Sequence, residues 1–307
     1  MIDSMNYVIY QHMDLEPIRR FLLDFGMLVA DESDDRIYFR GYGEEPFIYV
    51  AEKGAENKFV GVGLKVASRE ALEGYAARFG VSIEQSDRPG GGQRIVIQDP
   101  DGKPMELVHG AVPVEPITVR EPVSFNEGGK RNRLGRIPIF ENAPVPVLAL
   151  CHTVMSSPKP QKLMDWLCQE FGAYPSDVIV FDNQVPMLAF LRFPKGQEFV
   201  QHHHIAVSLG SKPGAQHTCF ETIDLDAVFM GHRFLRQRGH KPAWGPVRHS
   251  LGGAISDYWR DPSGFILEHV TDGDYVNDDC KTVYSPASSE SSTLQWTTNP
   301  LPSDFIE

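Results

Sequence analysis

QDPDGKPMELVHG, residues 98–110, and RDPSGFILEHVTDG, residues 260–273, lie far apart in the chain and read alike. In both, an Asp-Pro-x-Gly turn leads into a short strand, and a glutamate follows the aspartate by seven positions, at Glu106 and Glu268. Asp opens such a turn because its side chain bonds the backbone just ahead of it. That accounts for Asp99 and Asp261 without giving either a chemical role. A second echo has a similar period: IRRFLLDFGM, residues 18–27, matches LMDWLCQEFGA, residues 163–173, each a helix ending in Phe-Gly. The 307 residues are therefore two copies of one unit.

Copy one predicts strands near 7–10, 36–39, 47–51, 61–66, 94–98 and 105–108, with helices at 16–25 and 69–79. Copy two runs from 147 to 270, with helices at 160–171 and 225–239. In the first of these, Leu163, Trp166, Leu167 and Phe171 recur at helical spacing, a core stripe with no functional meaning. The expected class is α+β: two tandem modules, each of paired βαβββ units forming a cupped mixed sheet. The boundaries are an N-terminal module over 1–110, a connector over 111–146 that carries six prolines, a C-terminal module over 147–273 and a tail over 274–307. The tail is polar and rich in Ser and Pro, but Trp296, Leu301, Phe305 and Ile306 give it apolar anchors, so it reads as a strap or lid.

A formal charge of -12 argues against nucleic acid or an anionic membrane as partner, since both demand clustered Lys and Arg. No apolar run approaches the roughly 20 residues that span a bilayer, and no basic segment leads into an apolar one near Met1. A cytoplasmic protein acting on a small molecule is expected. The four cysteines, Cys151, Cys168, Cys219 and Cys280, show no CxxC spacing, so they read as reduced thiols used mainly in packing.

The two copies differ in residues able to bind a metal. Aligned on each other, His152 falls opposite about Asn6, His217 opposite about Gly61, and Glu268 opposite Glu106, so copy one keeps one possible ligand of three. Two imidazoles and one carboxylate on three strands of a cupped sheet make a facial set with open positions for other ligands, which suits Fe(II) and oxygen chemistry, although Mn(II) shares such donors. Most of the eleven histidines must be surface or core hydrogen-bonders. Placement on equivalent strands of a repeat is what singles out these two.

Copy two resembles the catalytic module of the type I extradiol catechol dioxygenases, in the vicinal oxygen chelate superfamily. The likeness rests on His152, HHIAV, QHTCF, GPVRHSLGGAISDYWRDPSGFILE and the closing HVTDGDY. It extends over the connector and tail, while over copy one only the scaffold matches. The resemblance implies a vicinal oxygen chelate fold and His152, His217 and Glu268 as metal ligands. It implies an acid-base histidine just upstream of the second ligand, here His203, 14 residues before His217, with His204 the other candidate. His249 and Tyr258, 19 and 10 residues before Glu268, would orient the substrate. A catechol and O2 would be the reactants, the ring opening beside the diol to a hydroxymuconic semialdehyde type of product, and a homo-oligomer is expected. Lys195, Arg192 and Arg248 are the candidates for holding a charged substituent, but the apolar VPMLAFLRF and KPAWGPV favour an alkyl- or aryl-substituted catechol. A glyoxalase-type lyase or isomerase and a metal-free binding protein are the competing readings.

Overall fold

The structure, a computed structural model, describes residues 1–287, 294–303 and 305; of the tail's anchors, Ile306 lies outside them. The first half of the chain forms β1 (Ile2–His12), α1 (Leu15–Phe25), β2 (Leu28–Glu32), β3 (Arg36–Arg40), β4 (Tyr49–Lys53), β5 (Lys58–Val66), α2 (Arg69–Phe79), β6 (Glu84–Gln85), β7 (Gln93–Gln98) and β8 (Pro104–His109). Sequence patterning did not anticipate β2. Past the connector come β9 (Leu150–Ser157), α3 (Pro160–Phe171), β10 (Tyr174–Val180), β11 (Pro186–Arg192), β12 (Val200–Gln201), β13 (Ile205–Leu209), β14 (Gly214–Glu221), α4 (Leu225–Gln237), β15 (Lys241–Arg248), β16 (Ile255–Arg260) and β17 (Ile266–Thr271). The tail adds β18 (Tyr275–Val276), β19 (Val283–Pro286) and β20 (Trp296–Thr297).

Sheet order restates the repeat. The first sheet runs β2-β3-β4-β1-β5-β8-β7-β6, and the second runs β10-β11-β13-β9-β14-β17-β16-β15 between tail strands β19 and β20. In each, an antiparallel pair at the centre (β1 with β5, β9 with β14) is flanked by parallel neighbours (β4 and β8, β13 and β17). Both Asp-Pro-x-Gly turns form as expected: Asp99 Oδ1 accepts from the backbone N–H of Asp101 and Lys103, and Asp261 Oδ1 from those of Ser263 and Phe265.

Local chemistry sets the helices. In α1, Leu15, Ile18, Phe21, Leu22 and Phe25 make one buried face, Asp14 caps the start, and Gly26 ends the helix at φ 105°. Only glycine fits there, because a Cβ would stand 1.8 Å from the Val145 carbonyl oxygen. The capping aspartate of α4, Asp224, also ties down the connector: both oxygens accept from Arg120 at 2.6 Å, and one accepts from Val123 N–H.

The central strands fix what each cup contains. In the first, Tyr7 lies opposite Gly63, which neighbours Glu106. The matching positions in the second are His152, Cys219 and Glu268, so ladder pairing sets Tyr7 rather than Asn6 against His152. Buried Glu106 accepts from Tyr7 Oη at 2.7 Å, Arg88 at 2.7 Å and Arg94 at 3.2 Å. Gly63 makes room, since a Cβ there would meet the Tyr7 ring at 2.4 Å. The first cup is thus filled by the protein's own cations.

One hydrophobic core runs through both halves, and polar contacts cross it. Tyr10 Oη lies 2.7 Å from Thr218 Oγ1, His12 Nδ1 lies 2.8 Å from Ser263 Oγ, and His269 Nε2 donates to the Phe25 carbonyl at 2.7 Å, its ring stacked on Phe25. His269, buried, belongs to this internal interface. Burial lowers His12 to about 4 and His269 likewise to about 4.

Two outcomes follow. A histidine whose folded pKa lies below its unfolded value takes up a proton on unfolding, so its contribution is full above about 6.5 and is lost as pH falls toward 4. Urea unfolding followed from pH 7 to 4 is expected to show falling stability, and the His12→Asn/His269→Gln double variant to take up about two fewer protons on unfolding near pH 5. In the first cup, Arg88→Met leaves a buried carboxylate short of its cation and is expected to cost about 3 kcal/mol in urea unfolding. Adding Glu106→Leu should return most of that loss.

Candidate metal centre

Three adjacent strands at the middle of the second sheet deliver the central side chains. β9 carries His152, β14 carries His217 and β17 carries Glu268. His217 Nε2 and His152 Nε2 lie 3.1 and 3.5 Å from Glu268 Oε2, and 3.4 Å from each other. All three residues are buried, and Glu268 Oε2 accepts no hydrogen bond among the described residues. Bonds of about 2.1 Å at right angles place metal donors about 3 Å apart, so this triangle fits one divalent ion, with an orphaned carboxylate oxygen ready to accept it. Burial acts to raise the Glu268 carboxyl, but the two imidazoles outweigh it and hold the group well below the usual carboxylate range. Burial lowers His152, leaving a neutral ring with a lone pair to offer.

Cys219 shares the cluster, its Sγ within 4.8 Å of donor atoms of His152 and Glu268. As a ligand it would have to lose a proton. Burial first, then the neighbouring Cys151, push its thiol well above the ordinary value, so His217 is the better third donor. A bulge in β14 between Ala215 and His217 brings the Gln216 side chain round to its neighbour: Gln216 Oε1 accepts from His217 Nδ1, leaving Nε2 bare.

The triplet 202–204 falls between β12 and β13, outside regular strand, and its three rings diverge. His203 lies over His152, ring centroids 4.0 Å apart, with Phe190 at 4.9 Å on another side. Burial, then the neighbouring His152 and His202, lower its pKa well below the ordinary value. His202 pairs with Asp177 at 2.6 Å. His204 turns into the core, where its Nδ1 accepts from Phe193 N–H at 3.2 Å and burial lowers it to about 4.

On the opposite wall, His249 Nε2 meets Tyr258 Oη at 2.8 Å, and the Tyr258 ring stands edge-on to His217. Burial, then the Glu268 charge, raise the Tyr258 hydroxyl well above its usual pKa, so it stays a proton donor. Trp244 stacks on Tyr258, and Phe305 from the tail packs against both. Gln216 Nε2 donates to the Phe305 carbonyl, tying that contact to His217. A cavity of about 60 Å³ opens beside His152 and His203, walled by Cys151, Glu221, Ala254 and Val270. A larger open cleft of about 610 Å³ beside α3 is lined by none of the residues of this centre.

His152, His217, Glu268, His203, His249 and Tyr258 therefore come together around one cup. The three basic candidates do not aim into it. Arg192 is buried against Tyr174 and holds the carbonyls of Asn277 and Cys280, Lys195 pairs with Asp3 at 2.6 Å, and Arg248 pairs with Asp272 at the rim. Sequence reasoning missed Gln216, Asp177 and His202 as supports, and only adjacency to His217 and His203 could have suggested two of them.

No family model matches the chain. Over 307 residues it is 25% identical to metapyrocatechase 2 of Cupriavidus necator, covering 96% of this chain and 89% of that protein. Among solved structures, the Mn(II)-bound glyoxalase of Novosphingobium aromaticivorans superposes with a TM-score of 0.81 at 21% identity, over 100% of this chain and 94% of that one. Homoprotocatechuate 2,3-dioxygenase of Arthrobacter globiformis gives 0.81 at 21% identity, over 100% and 91%. The enzyme of Brevibacterium fuscum in complex with 3,4-dihydroxyphenylacetate gives 0.81 at 19% identity, over 99% and 91%. The fold is that of the vicinal oxygen chelate proteins, and the resemblance to extradiol dioxygenases extends along the chain.

Proposed function

We propose that this chain is an extradiol ring-cleaving dioxygenase that opens a catechol beside its diol with O2, using Fe(II) held by His152, His217 and Glu268. The observation that carries the reading is the donor triangle, with edges of 3.1 to 3.5 Å, facing His203 on one side and the His249–Tyr258 pair on the other. The likeness to metapyrocatechase 2 supports the choice of chemistry. Iron, when bound, would gather both reactants and let electron density pass from the ring to oxygen.

The chain's own side chains manage protons and water. His203, neutral because it is buried, is set to take a proton from a catechol oxygen and return it later in the reaction. Tyr258, kept protonated, can donate to a catecholate oxygen, and His249 fixes that hydroxyl. Phe190, Trp244 and Phe305 supply aromatic walls that seat a ring and exclude water. Among the described residues, the cavity beside His152 has no Lys or Arg in its wall, which favours an alkyl- or aryl-substituted catechol over a carboxylated one. A glyoxalase shares the fold, but here the first cup is closed by Arg88 on Glu106, leaving a three-ligand site suited to substrate and O2 together.

Anaerobic titration with Fe(II), followed by metal analysis after desalting, should give one ion per chain. His152→Ala, His217→Ala and Glu268→Ala should each lose it, and Glu106→Ala should keep it. With 3-methylcatechol in air, the loaded protein is expected to make a yellow ring-opened product with equimolar oxygen uptake. An iron-loaded protein that consumes no oxygen with any catechol would sink the dioxygenase reading. His203→Gln should keep its iron and slow turnover by about 10²- to 10⁴-fold. Loss of iron in that variant would make His203 a ligand instead.

A further inference from the structure

The role given to His203 requires one bare ring nitrogen toward the reactants, and an imidazole by itself does not choose which nitrogen that is. Two buried neighbours make the choice. Asp177 Oδ2 lies 2.6 Å from His202 Nε2, and His202 Nδ1 lies 3.1 Å from His203 Nδ1. A carboxylate only accepts, so His202 Nε2 must carry the proton and donate to Asp177. Its Nδ1 then holds a lone pair. Two nitrogens 3.1 Å apart need a proton between them, and with His202 carrying its one proton on Nε2 it is His203 Nδ1 that supplies it. His203 is left with Nε2 unprotonated, and that atom has no hydrogen-bond partner among the described residues.

We propose that Asp177 and His202, the latter carrying its one proton on Nε2, are positioning residues that fix His203, whose ring lies over His152, as its Nδ1–H tautomer with Nε2 bare, a proposal that rests on the proton-handling role of His203.

The surroundings hold this relay in place from several sides. His202 N–H donates to the Asp274 carbonyl at 2.9 Å, and its own carbonyl accepts from Ser176 Oγ at 2.6 Å. Ser176 is in turn gripped by the guanidinium of Arg192 at 2.8 Å. Gly252, at φ 74°, passes so close that a Cβ would stand 3.0 Å from His202 Nδ1. Asp177 and His202 are both buried, so water competes poorly for these bonds. When His203 Nε2 gains a proton, its Nδ1–H still points at His202 and the His202 Nε2–H at the Asp177 carboxylate. The chain thus polarises toward the new positive charge without any proton having to leave.

The test reads the tautomer directly. In Zn(II)-loaded protein labelled with ¹⁵N-histidine, with His203 assigned by comparison with His203→Gln, the His203 signals should show a protonated Nδ1 and an unprotonated Nε2. The reverse pattern in the unmutated protein overturns the proposal, whether or not any catechol is turned over. Asp177→Leu and His202→Phe should give mixed His203 tautomers and lower kcat by about 10- to 100-fold at unchanged KM and iron content. Asp177→Asn, which keeps an acceptor oxygen for His202, should retain the tautomer and most of kcat. A wild-type tautomer and kcat in Asp177→Leu would also defeat the assignment. Because the unmutated spectrum stands alone, misfolding of a variant does not remove the test, and absence of catechol turnover with the expected spectrum counts against the function while leaving the relay supported.

Discussion

Glu268 is a carboxylate buried to 1% exposure, and a charge removed from water must be compensated on the spot or give up its ionised form. The repeat confronts this twice, at equivalent places in two sheets. In the first cup the answer is internal: Arg88, Arg94 and the Tyr7 hydroxyl surround Glu106 and close the space. In the second, two imidazoles and no guanidinium face the carboxylate, leaving among the described residues a donor oxygen with no hydrogen bond in a space one ion wide. A single difference in how a buried anion is balanced separates a sealed scaffold from a centre able to hold a cation.

The sealed half remains structurally necessary. Its back face packs on the second half through one continuous core. Its helix α1 offers the Phe25 carbonyl that receives His269, the residue immediately after Glu268. Adjacent residues on a strand point to opposite faces, so anchoring His269 in the interface turns Glu268 into the cup. The filled cup also explains why, among the described residues, the first half offers no counterpart of the candidate metal centre: a guanidinium bonded to Glu106 occupies the carboxylate that an ion would need.

Much of this was legible in the sequence because it is periodic. The Asp-Pro-x-Gly turns, the Phe-Gly helix ends and the matched glutamates recur in the same order in both halves, and from them follow the tandem sheets and the convergence of His152, His217 and Glu268. What escaped reading has no period. β2 grades from half-buried Leu28 to exposed Asp31 and Glu32, an edge strand without the alternation that marks a half-buried one. Arg88 sits in a Gly-rich loop, and nothing local says that it reaches Glu106 across 18 residues of chain. Gln216 reaches His217 only because β14 bulges there, and a bulge is a property of two strands together, not of either sequence.

The three consecutive histidines show why the same limit applies inside a motif. Three residues on a strand would alternate, sending the outer pair one way and the middle one the other. Here the link between β12 and β13 is irregular and the rings take three directions: His202 to Asp177, His203 over His152, His204 to the Phe193 backbone. The middle ring goes where alternation predicts, but its neighbours are not equivalent. His204 turns away into packing, while His202, also turned away, reaches back through Nδ1 to its neighbour. An irregular backbone is what allows one histidine to face the cup and the next to steady it, so the departure from strand geometry at this point is itself part of how the site is built.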